Sequence, residues 1–567
     1  MFKRIVAAVA AAATVWGGSA GAALAYDKSH EAYAIGNAHI DTAWQWTITT
    51  TIEPNSNPAT PYLYTTWNNQ LDLIDDNPGY KFNGSSAQHY AWIKEYWPQM
   101  FAEIQTKAAA GTFIPAGGAW VEHETMMASG ESIARSYLLG QKFYRENFNQ
   151  TVDHAFLPDS FGFSWIMPQI IKNSGMNSMM VTRMTSHNDD LSRWRGVDGT
   201  ELTMFRPLWM YPNGGDFRNG VNPSNKDGLK SRYNSVISFP TGLGTGIKKG
   251  MYLLGAGDSG GGPNQDQITM TNDLSQNDSD TPVVTYRSVS DYYNALSQAQ
   301  RDNLPLHDKE LLLKSTHGTF TSQSAVKKYN RLSEVLLEEA EKLSVSAMWL
   351  GGADYPSDTL DFAWKKKLVN DFHDILPGTN TRNATEEAWN NYEMAMNVTR
   401  GVIGNALAAV ADRADTSGTG APVFVYNPLS FARTDVVETT VTFNAVSENY
   451  VRVYDPNGNE IPSQAVKKGN AFQVVFIANQ VPSLGHAVYR VVPSSTQPSY
   501  ATGLSAGSNA MNSNKYTVEI NPATGNIKRI YDKQNAKEVL YPNSEVELHR
   551  IDEWDQPWDL TYAQISS

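Results

Sequence analysis

The chain lacks cysteine altogether, and it is short of positive charge. Without cysteine there are no disulfides, no thiolate metal ligands and no cysteine nucleophile, so any metal ion must be held by histidine and carboxylate side chains. The 45 Lys and Arg are outnumbered by 58 Asp and Glu, which gives a net charge of -13. Because a nucleic-acid-binding surface is normally basic, this balance argues against a nucleic acid partner and suits a neutral substrate.

Long apolar runs are also missing, except at the amino terminus. There, Lys3 and Arg4 precede an Ala- and Val-rich run over residues 5–16, and a small-x-small cleavage site ends at Ala25. The alternative interpretation is a membrane anchor, but the run is shorter than the ~20 apolar residues that a span requires. The sequence therefore predicts a signal peptide at 1–25 and a secreted protein, extracellular or periplasmic, without a membrane span.

Residues 26–287 carry the pattern of an α/β domain. Short apolar runs at 32–35 and 155–157 are typical of buried strands, and the apolar residues of 91–104 and 132–148 recur at helical spacing. Strands that alternate with helices predict a mainly parallel sheet. In such folds ligands gather at the carboxyl ends of the strands, so polar residues that follow a strand are the first candidates for a site.

The rest of the chain changes character twice. Over 288–412 the pattern is helical, with apolar residues three and four apart in 325–342 and 362–376, which predicts a small helical bundle. A linker rich in Gly, Ser and Thr at 415–422 then leads into alternating, β-branched segments. Residues 413–567 are therefore predicted to form an antiparallel β-sandwich.

Four polar clusters contain residues that could carry chemistry, and the first follows the first strand. His39 and Asp41 are two apart, and in an extended strand end this spacing points both side chains the same way, toward one cation. Trp44 follows them, and a ring beside polar groups suits a sugar site. A surface His-x-Asp triplet without any ligand is the plainer alternative.

The other three clusters are equally ambiguous when each is taken alone. Asp159 ends an apolar strand beside Phe161, where it either binds a metal or caps the following helix. Asp258 lies in a glycine-rich loop over 255–263, which either approaches a bound ligand or is simply flexible. The loop lacks the Lys-Ser/Thr pair of a phosphate-binding loop. His373, near a helix end, is either a ligand or a core histidine.

Together the clusters resemble glycoside hydrolase family 38, the α-mannosidases, over nearly the whole predicted mature chain. The motifs that carry the resemblance are H-x-D-x-A-W at 39–44, P-D-x-F-G at 158–162, a G-x-G-D-G-G-G-G-P loop at 255–263 with Ser259 in place of one glycine, and F-H-D-I-L-P-G at 372–378. Their order and spacing also match those of the family, and a coincidence on this scale is implausible.

The resemblance implies a role for each residue. The implied ligands of one zinc ion per chain are two imidazoles and two carboxylates: His39, Asp41, Asp159 and His373. Asp159 would also be the nucleophile, Asp258 the general acid/base, and Trp44 and Phe161 the faces against which the sugar packs. The implied function is a retaining, exo-acting α-mannosidase that removes terminal α-linked mannose from oligosaccharides or glycoprotein glycans.

Two other interpretations stay open. A metal-dependent polysaccharide deacetylase would use a similar scaffold and release acetate, and a degenerate lectin-like protein would bind mannosides without turnover. Members of the family usually continue for several hundred residues beyond the point at which this sequence stops. We therefore expect a truncated or abbreviated chain, whose β-sandwich is incomplete and has an exposed strand edge.

Overall fold

The computed structural model describes residues 26–53, 63–183, 189–207, 226–255, 260–313 and 316–547. The predicted signal peptide at 1–25 and the predicted acid/base Asp258 lie outside these residues. The described chain divides into two compact units, the first made of 26–337 and 357–399, the second of 338–356 and 400–547. The domain boundaries predicted at 287 and 412 stay predictions.

The first unit alternates strands with helices, as its apolar pattern predicts. Its strands are β1 (Glu31–Asn37), β2 (Phe82–Ser85), β3 (Phe113–Ala116), β4 (His154–Leu157), β5 (Ser178–Val181), β6 (Leu191–Arg195), β7 (Glu201–Phe205), β8 (Lys249–Leu254), β9 (Val283–Tyr286) and β10 (Leu306–His307). The helices are α1 (Ile48–Ile52), α2 (Leu63–Asp76), α3 (Ala87–Tyr96), α4 (Pro98–Ala109), α5 (Gly130–Phe148), α6 (Met167–Asn173), α7 (Lys226–Gly242), α8 (Gln265–Asn277), α9 (Val289–Asn294), α10 (Gln298–Asp302), α11 (Ser324–Trp349), α12 (Ser357–Val369) and α13 (Arg382–Ala411). Helices α11 and α13 contribute residues to both units.

Two five-stranded sheets form the centre of the first unit. In the first sheet, β1 pairs in parallel with β2, β8 and β9, and β3 pairs in parallel with β2. In the second sheet, β4, β5 and β7 are parallel, β6 is antiparallel to β7, and β10 is parallel to β6. The sheets are thus mainly parallel, which confirms the predicted α/β class of this part of the chain.

Apolar side chains hold the strands of this unit in place. One buried cluster contains residues of both sheets, among them Tyr33 and Ile35 of β1, Phe156 of β4 and Phe205 of β7. A larger cluster packs several helices against the first sheet. Because burial of such side chains stabilises by about 2 kcal/mol each, the strands are fixed firmly relative to one another. Their carboxyl ends carry the polar residues that the sequence singles out.

Two predicted helices differ from the observed ones. The pattern over 91–104 is divided between α3 and α4, because Pro98 lacks an N–H and begins a new helix instead of continuing the old one. The pattern over 362–376 is helical only to the end of α12. Beyond it the N–H groups of Asp371 and Phe372 form turn bonds, and the N–H of His373 bonds to the carbonyl of Glu122 in the loop at 122–124 instead of continuing the helix.

The second unit is built from antiparallel sheets, which confirms the predicted character of the carboxyl-terminal region. Its strands are β11 (Ala421–Asn427), β12 (Arg433–Thr442), β13 (Tyr450–Tyr454), β14 (Glu460–Ile461), β15 (Ser463–Lys468), β16 (Ala471–Val481), β17 (Gly485–Ser494), β18 (Ser505–Ala506), β19 (Ala510–Asn512), β20 (Tyr516–Ile520), β21 (Ile527–Asp532) and β22 (Lys537–Glu538). The sheets β11-β17-β13-β14 and β12-β16-β15 bury their inner faces in one apolar cluster that includes Val453, Phe472 and Tyr489, which is the arrangement of a sandwich. Strands β18 to β22 form a third sheet.

Within the described ranges, no helix combines the length and the apolar character that crossing a membrane requires.

Candidate metal centre

Four of the residues singled out in the sequence meet at the carboxyl ends of the strands. His39 and Asp41 follow β1, Asp159 follows β4, and His373 lies in the turns after α12. His39 Nε2 is 2.8 Å from Asp41 Oδ1, and His373 Nε2 is 3.5 Å from the same oxygen and 3.9 Å from Asp159 Oδ2. The two imidazole rings stack with centroids 5.1 Å apart. Residues from distant parts of the chain therefore converge on one point.

The spacing of these atoms suits a metal ion. Around a tetrahedral zinc ion, bonds of about 2.0–2.2 Å put neighbouring ligand atoms about 3.4 Å apart. Ligand atoms of His39, Asp159 and His373 lie within 4.8 Å of one another, and so do those of Asp41, His373 and Asp374. In the described part of the chain the buried Nε2 of His373 has no hydrogen-bond partner, as expected of a nitrogen whose lone pair serves an ion.

The centre concentrates charge among side chains that are nearly or fully buried. His39 and His373 have no exposed surface, and Asp41 and Asp374 are almost as deeply buried. Burial disfavours the charged ring of His39, but Glu122 and Asp41 outweigh it and raise the pKa of His39 well above its usual value. Burial, together with the charge of Asp41, raises the pKa of Asp374 well above the usual range. Such crowding of carboxylates is relieved by a divalent cation, whose charge reverses these shifts.

Phe161 and Arg183 line the same centre beside Asp159. The guanidinium of Arg183 forms an ion pair with Asp159 Oδ1, which leaves Oδ2 as the oxygen that faces His373. Arg183 also lies over the ring of Phe161, 5.4 Å from its centroid. The ring of Phe161 meets that of His373 edge to face, with centroids 5.8 Å apart. Phe161 therefore packs against both the histidine and the arginine.

Trp44 is half-buried three residues beyond Asp41. Its ring meets the edge of Trp46 with centroids 5.8 Å apart. The carbonyl of Trp44 accepts a hydrogen bond from the N–H of Thr381 at 2.9 Å, which ties this loop to the segment that follows His373. The structure thus holds Trp44 near the chain segments of the centre while part of its ring stays accessible.

The loop of Asp258 is described only through the residues that flank it. A Cβ on Gly255 would lie 2.5 Å from the carbonyl oxygen of Asn37, and a Cβ on Gly260 would lie 2.8 Å from Ile40 Cγ1. Both glycines also have positive φ, which glycine adopts without strain. Both ends of the loop therefore lie in close contact with the segment that carries His39. This close approach explains why glycine is needed at positions 255 and 260.

Three residues of the centre were not identified in the sequence: Glu122, Arg183 and Asp374. Glu122 contacts both histidines, Arg183 pairs with Asp159, and Asp374 lies 3.9 Å from His373 Nε2. Asp374 adjoins His373 in the F-H-D-I-L-P-G segment, so its position was a usable signal. Arg183 follows β5, at another strand end. Nothing in the local sequence around Glu122 indicates its two histidine partners, because both are distant along the chain.

Comparison with known families and proteins gives consistent matches. Residues 29–310 match the family described as "Glycosyl hydrolases family 38 N-terminal domain". Residues 315–410 match the family described as "Alpha mannosidase middle domain". The chain is 31% identical to Alpha-mannosidase 2C1 of Mus musculus over 421 residues, which cover 72% of this chain and 38% of that protein. It is 27% identical to Alpha-mannosidase G of Dictyostelium discoideum over 92% of this chain and 49% of that protein. The chain thus spans half or less of these relatives.

A solved structure has the same fold. The crystal structure of an alpha-mannosidase from Enterococcus faecalis V583 superposes with a TM-score of 0.73 at 18% sequence identity, covering 90% of this chain and 61% of that one. At this identity the likeness speaks for the fold alone.

Proposed function

Because the chain belongs to glycosyl hydrolase family 38, we propose that it is a zinc-dependent α-mannosidase that removes terminal mannose with retention of configuration. The observation that carries the proposal is the convergence of His39, Asp41, Asp159 and His373 on one buried point. The relatives named α-mannosidases support the substrate class, a mannose-containing oligosaccharide or glycoprotein glycan.

The metal that best suits these donors is zinc. Two imidazole nitrogens and two carboxylate oxygens, without any thiolate, are a common zinc ligand set. A bound zinc ion would supply positive charge and open coordination positions for neighbouring hydroxyls of the mannose ring. The four ligands are His39, Asp41, Asp159 and His373, and we propose one ion per chain. Asp374 adds a further buried carboxyl beside them, 3.9 Å from His373 Nε2.

Two carboxyl groups, those of Asp159 and Asp258, carry out the proposed reaction. Asp159 attacks the anomeric carbon while the protonated Asp258 gives its proton to the departing oxygen, so the C–O bond to the leaving group breaks as the bond to Asp159 forms. Asp258 then takes a proton from water, which displaces Asp159 and releases mannose. Arg183 holds Oδ1 of Asp159 in place throughout. A retaining reaction requires the two carboxyls to lie about 5–5.5 Å apart.

The apolar contacts of the sugar are proposed to come from Trp44 and Phe161. A hexose ring has flat C–H faces that pack on aromatic rings, and an aromatic side chain provides a large apolar surface for this. Trp44 is half-buried and offers the larger accessible face, whereas Phe161 is 2% exposed and lies beneath Arg183. We therefore expect Trp44 to contribute more to substrate affinity than Phe161.

The direct test is hydrolysis of an aryl α-mannoside by the protein as isolated, after treatment with a chelator, and after zinc is added back. We expect activity that the chelator abolishes and zinc restores, with the α-anomer of mannose formed first when the reaction is followed by NMR. Formation of the β-anomer first would exclude retention. Mannose binding without any hydrolysis, with zinc present, would instead favour the lectin-like alternative.

We also propose that the protein is exported, on the strength of the sequence pattern at 1–25. The test is amino-terminal sequencing of the protein recovered outside the cytoplasm of its source. We expect the mature chain to begin at Tyr26. Recovery only from the cytoplasm, with Met1 retained, would contradict export.

A further inference from the structure

Glu122 is buried in the loop between β3 and α5, where its side chain faces His39. One carboxylate oxygen, Oε2, is 2.7 Å from His39 Nδ1, and the other, Oε1, accepts a hydrogen bond from Ser85 Oγ at 2.5 Å. A carboxylate only accepts, so this short contact holds Nδ1 of His39 as a protonated nitrogen. Nε2 faces Asp41 Oδ1 at 2.8 Å and is the nitrogen left to bind an ion, which would replace any proton there.

The backbone carbonyl of Glu122 contacts the second histidine, His373. The carbonyl oxygen of Glu122 lies 2.9 Å from His373 Nδ1 and accepts the backbone N–H of His373 at 3.2 Å. A carbonyl is also an acceptor only, so His373 likewise carries its proton on Nδ1 and its lone pair on Nε2. The pairing of His123 with Phe372 and the hydrogen bond from Glu124 N to the carbonyl of Asp371 hold the two segments together.

One residue therefore contacts Nδ1 of both imidazoles, although they are far apart along the chain. We infer that Glu122 is a positioning residue of the metal centre, which fixes the rings of His39 and His373 so that both Nε2 atoms point at one ion. This inference rests on the proposed zinc-dependent function. Metal-bound histidines are commonly held in this way by a carboxylate or a carbonyl on their other nitrogen; in this chain Glu122 supplies both.

The two contacts differ in how they respond to mutation. A change of the Glu122 side chain removes the contact with His39 and leaves the backbone contact with His373. Glu122→Gln keeps the shape and one acceptor oxygen but loses the charge, and Glu122→Ala removes the acceptor entirely. Glu124→Gln is the matched control: Glu124 is buried in the same loop, and its carboxylate accepts the backbone N–H groups of Met126 and Met127.

The experiment measures the zinc dissociation constant of the full chain by competition with a chelator, the visible spectrum of the cobalt-substituted protein and the thermal unfolding of each variant. We expect zinc affinity to fall about 10-fold in Glu122→Gln and about 100-fold in Glu122→Ala, with a changed cobalt spectrum in both. Glu124→Gln should lower the unfolding temperature while its zinc affinity and cobalt spectrum stay those of the unchanged protein.

The outcomes separate this inference from the function on which it rests. If the unchanged protein binds no zinc, the proposed function fails, and the inference fails with it. If the unchanged protein binds zinc and both Glu122 variants bind it equally well, the inference alone is overturned. It is also overturned if Glu124→Gln loses as much affinity as Glu122→Gln, because the effect would then follow from the stability of the loop. Should Glu122→Ala not fold, Glu122→Gln decides the matter by itself.

Discussion

Both units of the chain bury apolar side chains, but they differ in the polar side chains that they bury. The first unit encloses histidines and carboxylates, among them His39, Asp41 and His373, without exposing them to water. In the second unit, as far as it is described, the buried polar residues are Ser344 and Asn427, and no charged side chain is buried. A sandwich core needs only apolar side chains that fit together, whereas buried charge destabilises a fold unless it is paired. Among the described residues, buried charge is found only in the first unit, which marks that unit as the one that carries the candidate site.

The largest effect that this contrast predicts is on turnover. Asp159→Asn keeps the size of the side chain but removes the proposed nucleophile, so hydrolysis of an aryl α-mannoside should fall by about 10⁴-fold. The control is Asp198→Asn, the same substitution in the exposed turn between β6 and β7, which should retain full activity. A residual rate within tenfold of the rate of the unchanged protein would show that Asp159 is not the nucleophile.

A second prediction concerns a buried lysine of the first unit. Lys367 has no exposed surface and lies 2.6 and 2.7 Å from the carboxylate oxygens of Asp371 and 3.2 Å from Glu334 Oε1. Lys367→Met removes the cation that pairs with the buried carboxylate of Asp371, whereas Glu334 keeps its ion pair with Arg331. The substitution should lower the free energy of unfolding by about 3–5 kcal/mol. Urea titration measures this, and Lys366→Met, at a half-buried neighbour, should change little. Equal losses in the two variants would contradict the importance of the buried pair.

Acid should weaken the first unit through two buried histidines. Burial lowers the pKa of His89 and of His123 to about 4, whereas an unfolded histidine takes up its proton near pH 6.5. The stabilising contribution is therefore complete above about pH 6.5 and is lost as the pH falls toward 4, on the order of 3 kcal/mol for each ring. His123→Gln should reduce this pH dependence, and His486→Gln, at an exposed site in β17, should not.

Hydrogen exchange, resolved by peptide, measures that pH dependence in the two units separately. Near neutral pH both units should be protected, and at about pH 5 the protection factors of the peptides of the first unit, which correct for the slower intrinsic exchange in acid, should fall. Faster exchange in β16 and β17 alone would contradict the assignment of acid sensitivity to His89 and His123.

The smallest predicted effect is in the sandwich. Val474 of β16 is fully buried, so Val474→Ala should cost about 2 kcal/mol of stability by removing apolar contacts. The zinc affinity of the folded protein should not change, because the side chain contributes only to the apolar cluster of the second unit. Val466→Ala, at a residue that is 60% exposed, is the control and should cost less than about 0.5 kcal/mol. A loss of zinc affinity in Val474→Ala would break the contrast between the units.

Much of the fold could be predicted because the sequence carries its signal locally. The apolar runs at 32–35 and 155–157 correspond to β1 and β4, and the helical spacing of 132–148 corresponds to α5. The residues that follow these strands, His39 and Asp159, are candidates because ligands gather at the carboxyl ends of strands. The family resemblance implies that they share one ion, although β1 and β4 belong to different sheets. Family motifs supplied His373, which local periodicity had left undecided.

The features that could not be predicted from the sequence depend on contacts between distant segments of the chain. The helix predicted over 362–376 ends early because residues 371–373 pair with the loop at 122–124, where the carbonyl of Glu122 accepts the N–H of His373. Glu122 was missed for the same reason, since its role exists only once His39 and His373 lie on either side of it. Arg183 could be recognised only from its position beside Asp159. Such pairings are a property of the folded chain and leave no local pattern.

The wide separation of the centre's residues along the chain has a consequence for biosynthesis. Glu122 and the histidine that its carbonyl orients are 251 residues apart. During synthesis, the proposed metal centre therefore stays incomplete until the segment containing His373 has emerged, long after β1 and β2 are available to pair. On the proposed function, tight zinc uptake would then report that the first unit has finished assembling. A ribosome-stalled nascent chain that ends before His373 should lack that uptake, however well its first strands have folded.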